Sequence, residues 1–162
     1  MMQWHEGRLE HIHIAPQGDA DMIGLEEATL IAGQGIEGDR YAIGNGSYSD
    51  KPDIREVTLI EAEVLDALAA NQPPLQKAPI ILAPHEHRRN LTTRGVPLNY
   101  LVGMRFRVGK VVLQGGRLNF PCNRLAERTG KPVMLPLYNR SGLNCRVVEG
   151  GMIRRGDRIT PL

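Results

Sequence analysis

Apolar and polar positions alternate over several short stretches of this chain, and short alternation marks half-buried strands. Leu9-Glu10-His11-Ile12-His13-Ile14 is the first, closed by the turn Pro16-Gln17-Gly18; Glu27 to Ala32 is the second and Arg55 to Ile60 the third. Met104 to Val108 and Val111 to Gln114 flank Gly109-Lys110, which predicts a hairpin. Arg105 and Arg107 fall on one face of its first arm, with Met104, Phe106 and Val108 on the other. Leu143 to Glu149 and Met152 to Thr160 predict a last strand pair joined at Gly150-Gly151, its second arm interrupted by Arg155-Gly156-Asp157. The period changes between Glu61 and Asn71, where Ala62, Val64, Leu65, Leu68 and Ala69 have helical spacing, and Pro73-Pro74 stops the run. Ile80-Ile81-Leu82-Ala83, enclosed by Pro79 and Pro84, predicts a short buried segment, and a second short helix is expected to begin at Cys122. Many short strands with about two short helices predict a mainly β protein (β or α+β) folded as a compact barrel.

Composition narrows this further. A chain of 162 residues is expected to form one domain, residues 1–162, with its core over about residues 8–160. Aromatic residues are only 4%, so Leu, Ile, Val and Ala must build the core. A net charge of +2 argues against general nucleic-acid binding but leaves room for a local anion site. The apolar runs are far short of a membrane span, and Met1 to Arg8 has no apolar leader. The two cysteines, Cys122 and Cys145, form no CxxC pair and have no zinc-type spacing with histidine. A cytoplasmic protein with reduced thiols and no membrane or nucleic-acid partner is the expectation.

The candidate chemistry centres on Cys122, in Arg117-Leu118-Asn119-Phe120-Pro121-Cys122-Asn123-Arg124-Leu125. Arg117, Arg124 and Arg128 are close in sequence, and the start of a helix adds positive potential. Both favour thiolate, the form that attacks sulfur or ligates metal. The alternative is a small buried hydrophobe. Packing is the expected role of Cys145, inside an alternating strand.

A second concentration is His85-Glu86-His87-Arg88-Arg89-Asn90-Leu91-Thr92-Thr93-Arg94-Gly95. Its guanidinium forks and hydroxyls suit phosphate oxygens, although a solvated basic turn would look the same. His85 and His87 can converge on an extended chain, but two ligands are too few for a metal site. No spacing specifies a nucleophile pair of Cys122 with either histidine. His11 and His13 read as a surface pair beside an apolar face. Gly33-Gln34-Gly35-Ile36-Glu37-Gly38-Asp39-Arg40-Tyr41 predicts an ordered wall in which Asp39 holds the turn and Arg40 faces a pocket. Residues 44–53 are nearly all turn formers and predict a flexible flap.

Taken in order, these segments resemble the MOSC domain family, named for the C-terminal domain of molybdenum cofactor sulfurase. The resemblance is carried by Gly35-Ile36-Glu37-Gly38-Asp39-Arg40, Glu56-Val57-Thr58-Leu59-Ile60-Glu61, Arg88 through Val96, Leu101-Val102-Gly103-Met104-Arg105-Phe106 and Pro121-Cys122. The tail Ser141 through Gly151 and on to Gly156-Asp157 completes it, so that it spans roughly residues 8–160. It implies a MOSC-type β-barrel that binds the molybdenum cofactor, a pterin dithiolene bearing a phosphate, or carries sulfur. The family's cysteine falls on Cys122, as molybdenum ligand in reductase-type members and as persulfide holder in sulfurase-type members. Its basic segment falls on Arg88, Arg89 and Asn90, with Thr92, Thr93 and Arg94 beside it to hold the phosphate and position the pterin. The catalytic implication is reduction of an N-hydroxylated small-molecule substrate, with electrons from an external electron-donor protein. The alternatives are a carrier that receives sulfur from a separate desulfurase, and a non-catalytic anion-binding barrel.

The departures from the family matter as well. No pyridoxal-phosphate aminotransferase-like domain is expected, so pyridoxal phosphate enters only at the level of the family. Neither the N-terminal barrel of the mitochondrial reductases nor a C-terminal iron–sulfur or helical extension is expected. Small members often carry a second cysteine just before the Pro-Cys pair, where this chain has Asn119 and Phe120. A two-thiol mechanism is therefore not expected.

Overall fold

The computed structural model describes residues 4–162, so Met1 to Gln3 of the leader argument lie outside the described residues. The alternating segments become strands because each has one face to bury. The strands are β1 (Gly7–Ile14), β2 (Ile23–Leu25), β3 (Glu27–Ile31), β4 (Gly35–Ile36), β5 (Val57–Glu61) and β6 (Leu91–Arg94). They continue with β7 (Arg105–Val108), β8 (Val111–Leu118), β9 (Leu143–Glu149), β10 (Gly151–Arg154) and β11 (Arg158–Pro161). The helices are α1 (Ala62–Ala70) and α2 (Asn123–Thr129), with a single 3-10 turn at Leu98–Tyr100.

Strands β11, β7, β8, β9, β5, β6 and β1 pair in that order, and β11 returns to β1 through Gly7–Ile159 and Arg8–Arg158. The result is a closed seven-stranded barrel with no open edge between its staves. All of its pairings are antiparallel except β5–β6, whose parallel register needs the crossover through α1. β2 extends β1 beyond its pairing with β11, and β10, β3 and β4 form a small separate sheet.

A register shift in β1 between Leu9 and His11 changes which residues face inward. Leu9 packs in the barrel before it and Ile12 after it, leaving His11 and His13 outside. The barrel core also takes Leu59, Leu91, Phe106, Leu113, Leu143, Cys145 and Ile159, all fully buried. A second apolar cluster lies outside the wall, where Ile60 meets Val64 and Leu68 of α1, Leu125 of α2, and Ile80, Leu82, Val133 and Leu137. This explains the continuous burial of β5: Val57 and Leu59 fill the barrel, while Ile60 faces the outer cluster.

The β7–β8 hairpin forms as predicted, with Arg105 and Arg107 exposed and Phe106 and Val108 buried. Met104 lies outside the strand and is exposed, contrary to its expected place beside Phe106. Three other expectations are corrected. The final strands do not form a pair across Gly150-Gly151: β10 pairs with β3, and the chain turns at Arg155-Gly156-Asp157 to deliver β11 to the barrel. Leu91 to Arg94 is a barrel strand, since Leu91, Thr92 and Thr93 are buried between β1 and β5. His13 is buried, because the segment leading into β6 packs on it and Asn90 brackets its backbone from both sides. Among the described residues no helix is long and apolar enough to cross a membrane.

Candidate functional site

On the outside of the barrel wall, a cavity of about 450 Å³ opens against β5. Its base is Thr58. The opposite side is built from the chain entering and forming α2, with Asn119, Cys122, Arg124 and Arg128. Three loops close it, through Gly18 and Asp19, Arg40 and Tyr41, and Ser47 and Tyr48, with Arg88 and Arg89 between them.

Cys122 occupies the N-terminal cap position of α2 in extended conformation, with φ −131° and ψ 157°. It is partly exposed to the cavity and otherwise packs against the outer apolar cluster. Cys145 points into the barrel, and burial pushes its thiol far above the ordinary range. Alkylation at neutral pH is therefore expected to modify Cys122 at least about tenfold faster than Cys145 in the folded protein. Peptide mapping after a short iodoacetamide pulse measures the ratio, and faster labelling of Cys145 would remove Cys122 from the centre of the site.

Arg88 sits at φ +64°, a left-handed position that separates its side chain from that of Arg89. Its two Nη atoms donate to the Ala20 carbonyl at 2.7 Å and the Gly18 carbonyl at 2.8 Å. Arg89 donates from Nε to the Ser141 carbonyl at 2.9 Å, from Nη2 to the Ser141 hydroxyl at 2.7 Å and from Nη1 to the His87 carbonyl at 3.0 Å. Gly142 makes that contact possible: at φ +111°, a Cβ there would lie 2.0 Å from the Leu59 carbonyl oxygen.

The charges of Arg88 and Arg89 are thus held by neutral oxygens. The ion pairs at the cavity are Arg40–Asp39 and Arg128–Asp21; among the described residues no carboxylate pairs with Arg88, Arg89 or Arg124. Burial, then the neighbouring Arg40 and Arg128, draws Arg88 down to about 10. Burial draws Arg89 down to about 10, opposed by the Cys122 sulfur and Tyr41. A bound anion would relieve both, because it would return a countercharge to guanidiniums that have lost their water.

Asp39 stands behind this wall, fully buried, and accepts from the Ala15 amide at 3.1 Å, the Tyr41 amide at 3.2 Å and Arg40 Nη1 at 3.0 Å. Arg40 reaches on from there to the Arg88 carbonyl at 3.0 Å and lies 4.5 Å from the Tyr41 ring centroid.

The remaining residues of the basic segment lie elsewhere. Asn90 accepts from the Thr58 amide and hydroxyl, both at 3.1 Å, and donates to the His13 carbonyl at 3.1 Å, so it sews β5 to β1 behind the cavity. The Thr92 hydroxyl meets His87 Nε2 at 2.9 Å, and Thr93 donates to the Ile60 carbonyl at 3.4 Å. Arg94 pairs with Glu10 and Asp66 on the exposed end of β6. Arg117, close to Cys122 in sequence, is taken by Asp53. Among the described residues no group of three or more His, Cys, Asp or Glu side chains is placed to hold a metal ion.

Tyr41, Tyr48, Ser47 and Ser141 carry parts of the site that sequence reasoning passed over. One signal was present for Tyr48, the sole aromatic residue in a run of turn formers. Ser141 had no signal of its own, because its role depends on where Arg89 is carried by β6.

The MOSC domain family model matches residues 32–160, and the chain belongs to the MOSC domain family. Among solved structures it is similar to the YUAD protein from Bacillus subtilis, with a TM-score of 0.78 and 19% identity over 98% of this chain and 97% of that one. YiiM from Escherichia coli is similar at a TM-score of 0.65 and 21% identity, over 96% and 69% of the two chains. YiiM from Geobacillus stearothermophilus gives 0.67 and 15%, over 96% and 75%. These likenesses establish the fold. No curated protein matches the chain.

Proposed function

We propose that this MOSC protein binds the molybdenum cofactor in the cavity beside β5 and serves as an oxo-transfer module for N-hydroxylated compounds. The observation that carries this reading is the meeting of one partly exposed cysteine with three arginines, Arg88, Arg89 and Arg124, that have no carboxylate partner among the described residues. A thiolate is a soft donor suited to a thiophilic metal. The unpaired guanidiniums suit the cofactor's phosphate. A cavity of about 450 Å³ lies within the range of roughly 300–1,000 Å³ usual for cofactor sites. The residues therefore fit the group.

When bound, the cofactor would supply a metal centre able to take the oxygen atom from substrate while giving it two electrons, which an external electron-donor protein would restore. Cys122 would ligate the metal, Arg88 and Arg89 would neutralise the phosphate, and Tyr41 would offer an aromatic face to the ring system. Thr58, whose hydroxyl already donates to Asn90, would line the floor. Asn90, Thr92 and Thr93 would act at one remove by holding the strands that present these groups.

Metal analysis of protein purified from cofactor-competent cells tests the reading. About one molybdenum per chain is expected for the native sequence, with at least about a tenfold loss in Cys122→Ser. Native protein free of molybdenum after such purification would overturn it.

The partial exposure of Cys122 favours a second reading, as a sulfur carrier. The Cys122 thiolate would attack the outer sulfur of a desulfurase persulfide. A new S–S bond would form as the donor's S–S bond breaks, and the donor cysteine would leave as thiolate. Mass spectrometry of the same preparation separates the two readings, since a carrier would show one added sulfur on the Cys122 peptide and no molybdenum.

A further inference from the structure

A second cavity, of about 440 Å³, adjoins the first at Arg88 and Arg128, which line both. Its other walls include Asp21 and Met22, from the loop before β2, and His85 and Glu86, from the segment before β6. Cys122, Tyr41 and Arg89 line only the first cavity, so the two guanidiniums stand at the junction. Arg88 engages the Ala20 and Gly18 carbonyls with two of the five N–H donors that a guanidinium carries. Arg128 donates from Nη1 to the Asp19 carbonyl at 2.9 Å and from Nη2 to Asp21 at 2.7 Å. Asp21 is 98% exposed, which makes it a weak competitor for a ligand's charge. Glu86 is already engaged: its two oxygens receive Lys131 Nζ at 2.8 and 2.9 Å, and one of them accepts from the Ala83 amide at 2.7 Å. The junction is therefore positive and keeps donors in reserve. Away from it, the half-buried Met22 and the exposed His85 offer a thioether and an imidazole ring.

We propose that the second cavity is a nucleotide subsite, in which Arg88 and Arg128 hold a pyrophosphate at the junction and a nucleobase lies against Met22 and His85. Two linked phosphates suit two neighbouring guanidiniums, one fork to each. A base presents its π face to the Met22 sulfur and the imidazole. The orientation rests on the cofactor reading: with its metal end at Cys122, the cofactor brings its phosphate to Arg88, and whatever that phosphate carries enters the second cavity. A nucleotide joined to the cofactor through a pyrophosphate and a free nucleoside diphosphate share this chemistry.

Titration calorimetry tests the subsite without any metal, using the full chain made in cells that lack the cofactor. The probes are inorganic pyrophosphate, cytidine diphosphate and guanosine diphosphate. At least one nucleoside diphosphate is expected to bind about tenfold tighter than pyrophosphate, the size of one base-stacking contact. His85→Ala and Met22→Ala are each expected to reduce that gain and to leave pyrophosphate binding unchanged. Arg128→Gln is expected to weaken pyrophosphate and nucleoside diphosphate alike, by about tenfold. Equal affinity for pyrophosphate and both nucleoside diphosphates would overturn the proposal, as would a gain that survives both His85→Ala and Met22→Ala. His85 is exposed, so its replacement leaves the fold intact and decides the matter if Met22→Ala fails to fold. Protein from cofactor-competent cells separates the two sources. Acid release of a nucleoside monophosphate in equal amount to molybdenum marks a nucleotide borne by the cofactor, and molybdenum without nucleotide, with the calorimetric gain present, marks a free one. Absence of the gain in a chain that acquires molybdenum removes the subsite and spares the cofactor reading. The gain in a chain that never acquires molybdenum does the opposite.

Discussion

Replacement of Asp39 by alanine is expected to destabilise the protein by about 3–5 kcal/mol, a large share of the stability of an ordinary domain. Asp39 is fully buried and its carboxylate accepts from the Ala15 amide, the Tyr41 amide and Arg40. Alanine removes all three acceptor contacts and leaves Arg40, only 4% exposed, as a buried cation facing the Arg88 carbonyl and the Met22 sulfur. The cost comes mostly from that stranded charge and not from the lost attraction. Asp39→Asn keeps the shape and part of the bonding, and is expected to cost less than the alanine variant while remaining destabilising. Urea unfolding at neutral pH measures both. A loss below about 1 kcal/mol for Asp39→Ala, the range of an exposed pair, would mean that the wall through Arg40 is not anchored here.

Acid is expected to weaken the fold well above the range in which most carboxylates titrate. His13 is buried and its Nδ1 has no hydrogen-bond partner among the described residues. Burial, helped by His11, His85 and Arg155, draws its pKa from 6.5 to about 4. His87 is fully buried and held well below its ordinary value for the same first reason, with Arg89 next. Its Nδ1 accepts from the Arg89 amide at 2.9 Å, a bond that a proton on that nitrogen would abolish. The folded protein thus refuses protons that the unfolded chain accepts. Stability is full above about pH 6.5 and declines as pH falls toward 4, where folded His13 at last protonates. At 1.36 kcal/mol per unit, His13 alone accounts for about 3 kcal/mol across that window. Urea unfolding between about pH 7.5 and about pH 5 is expected to show about 2 kcal/mol of this loss, and His13→Leu to flatten it. An equal slope in His13→Leu would assign the acid sensitivity to other groups.

Much of the barrel was legible along the chain, and the reason is local. The β7–β8 hairpin was legible because alternation and a glycine turn are adjacent in sequence, so no distant contact had to be known. α1 and the start of α2 were legible for the same reason, since a helix closes its hydrogen bonds within itself. β6 was missed because its threonines look polar, and only burial between β1 and β5 reveals them as core. The pairing of β10 was missed because Gly150-Gly151 suggests a hairpin, whereas β3 supplies a partner that no local pattern announces.

The basic segment shows the same limit within the site. Arg88, Arg89 and Arg94 read alike as a cluster of forks. The left-handed residue Arg88 and the strand that follows it send the first two toward the cavity and the third to Glu10 and Asp66. Strand parity turns Thr58 and Ile60 outward from the barrel, the first to the cavity floor and the second to the outer core.

Residue order alone was enough for the family and for the barrel class. Each of these rests on composition, periodicity or an ordered set of short motifs. Which arginines keep a charge without a carboxylate partner among the described residues depended on barrel closure. Closure brings residues 18–19, 40–41, 47–48, 88–89 and 119–128 to one side of β5. A countercharge is a matter of distance through space, and segments so far apart in the chain acquire one only when the strands that carry them have paired.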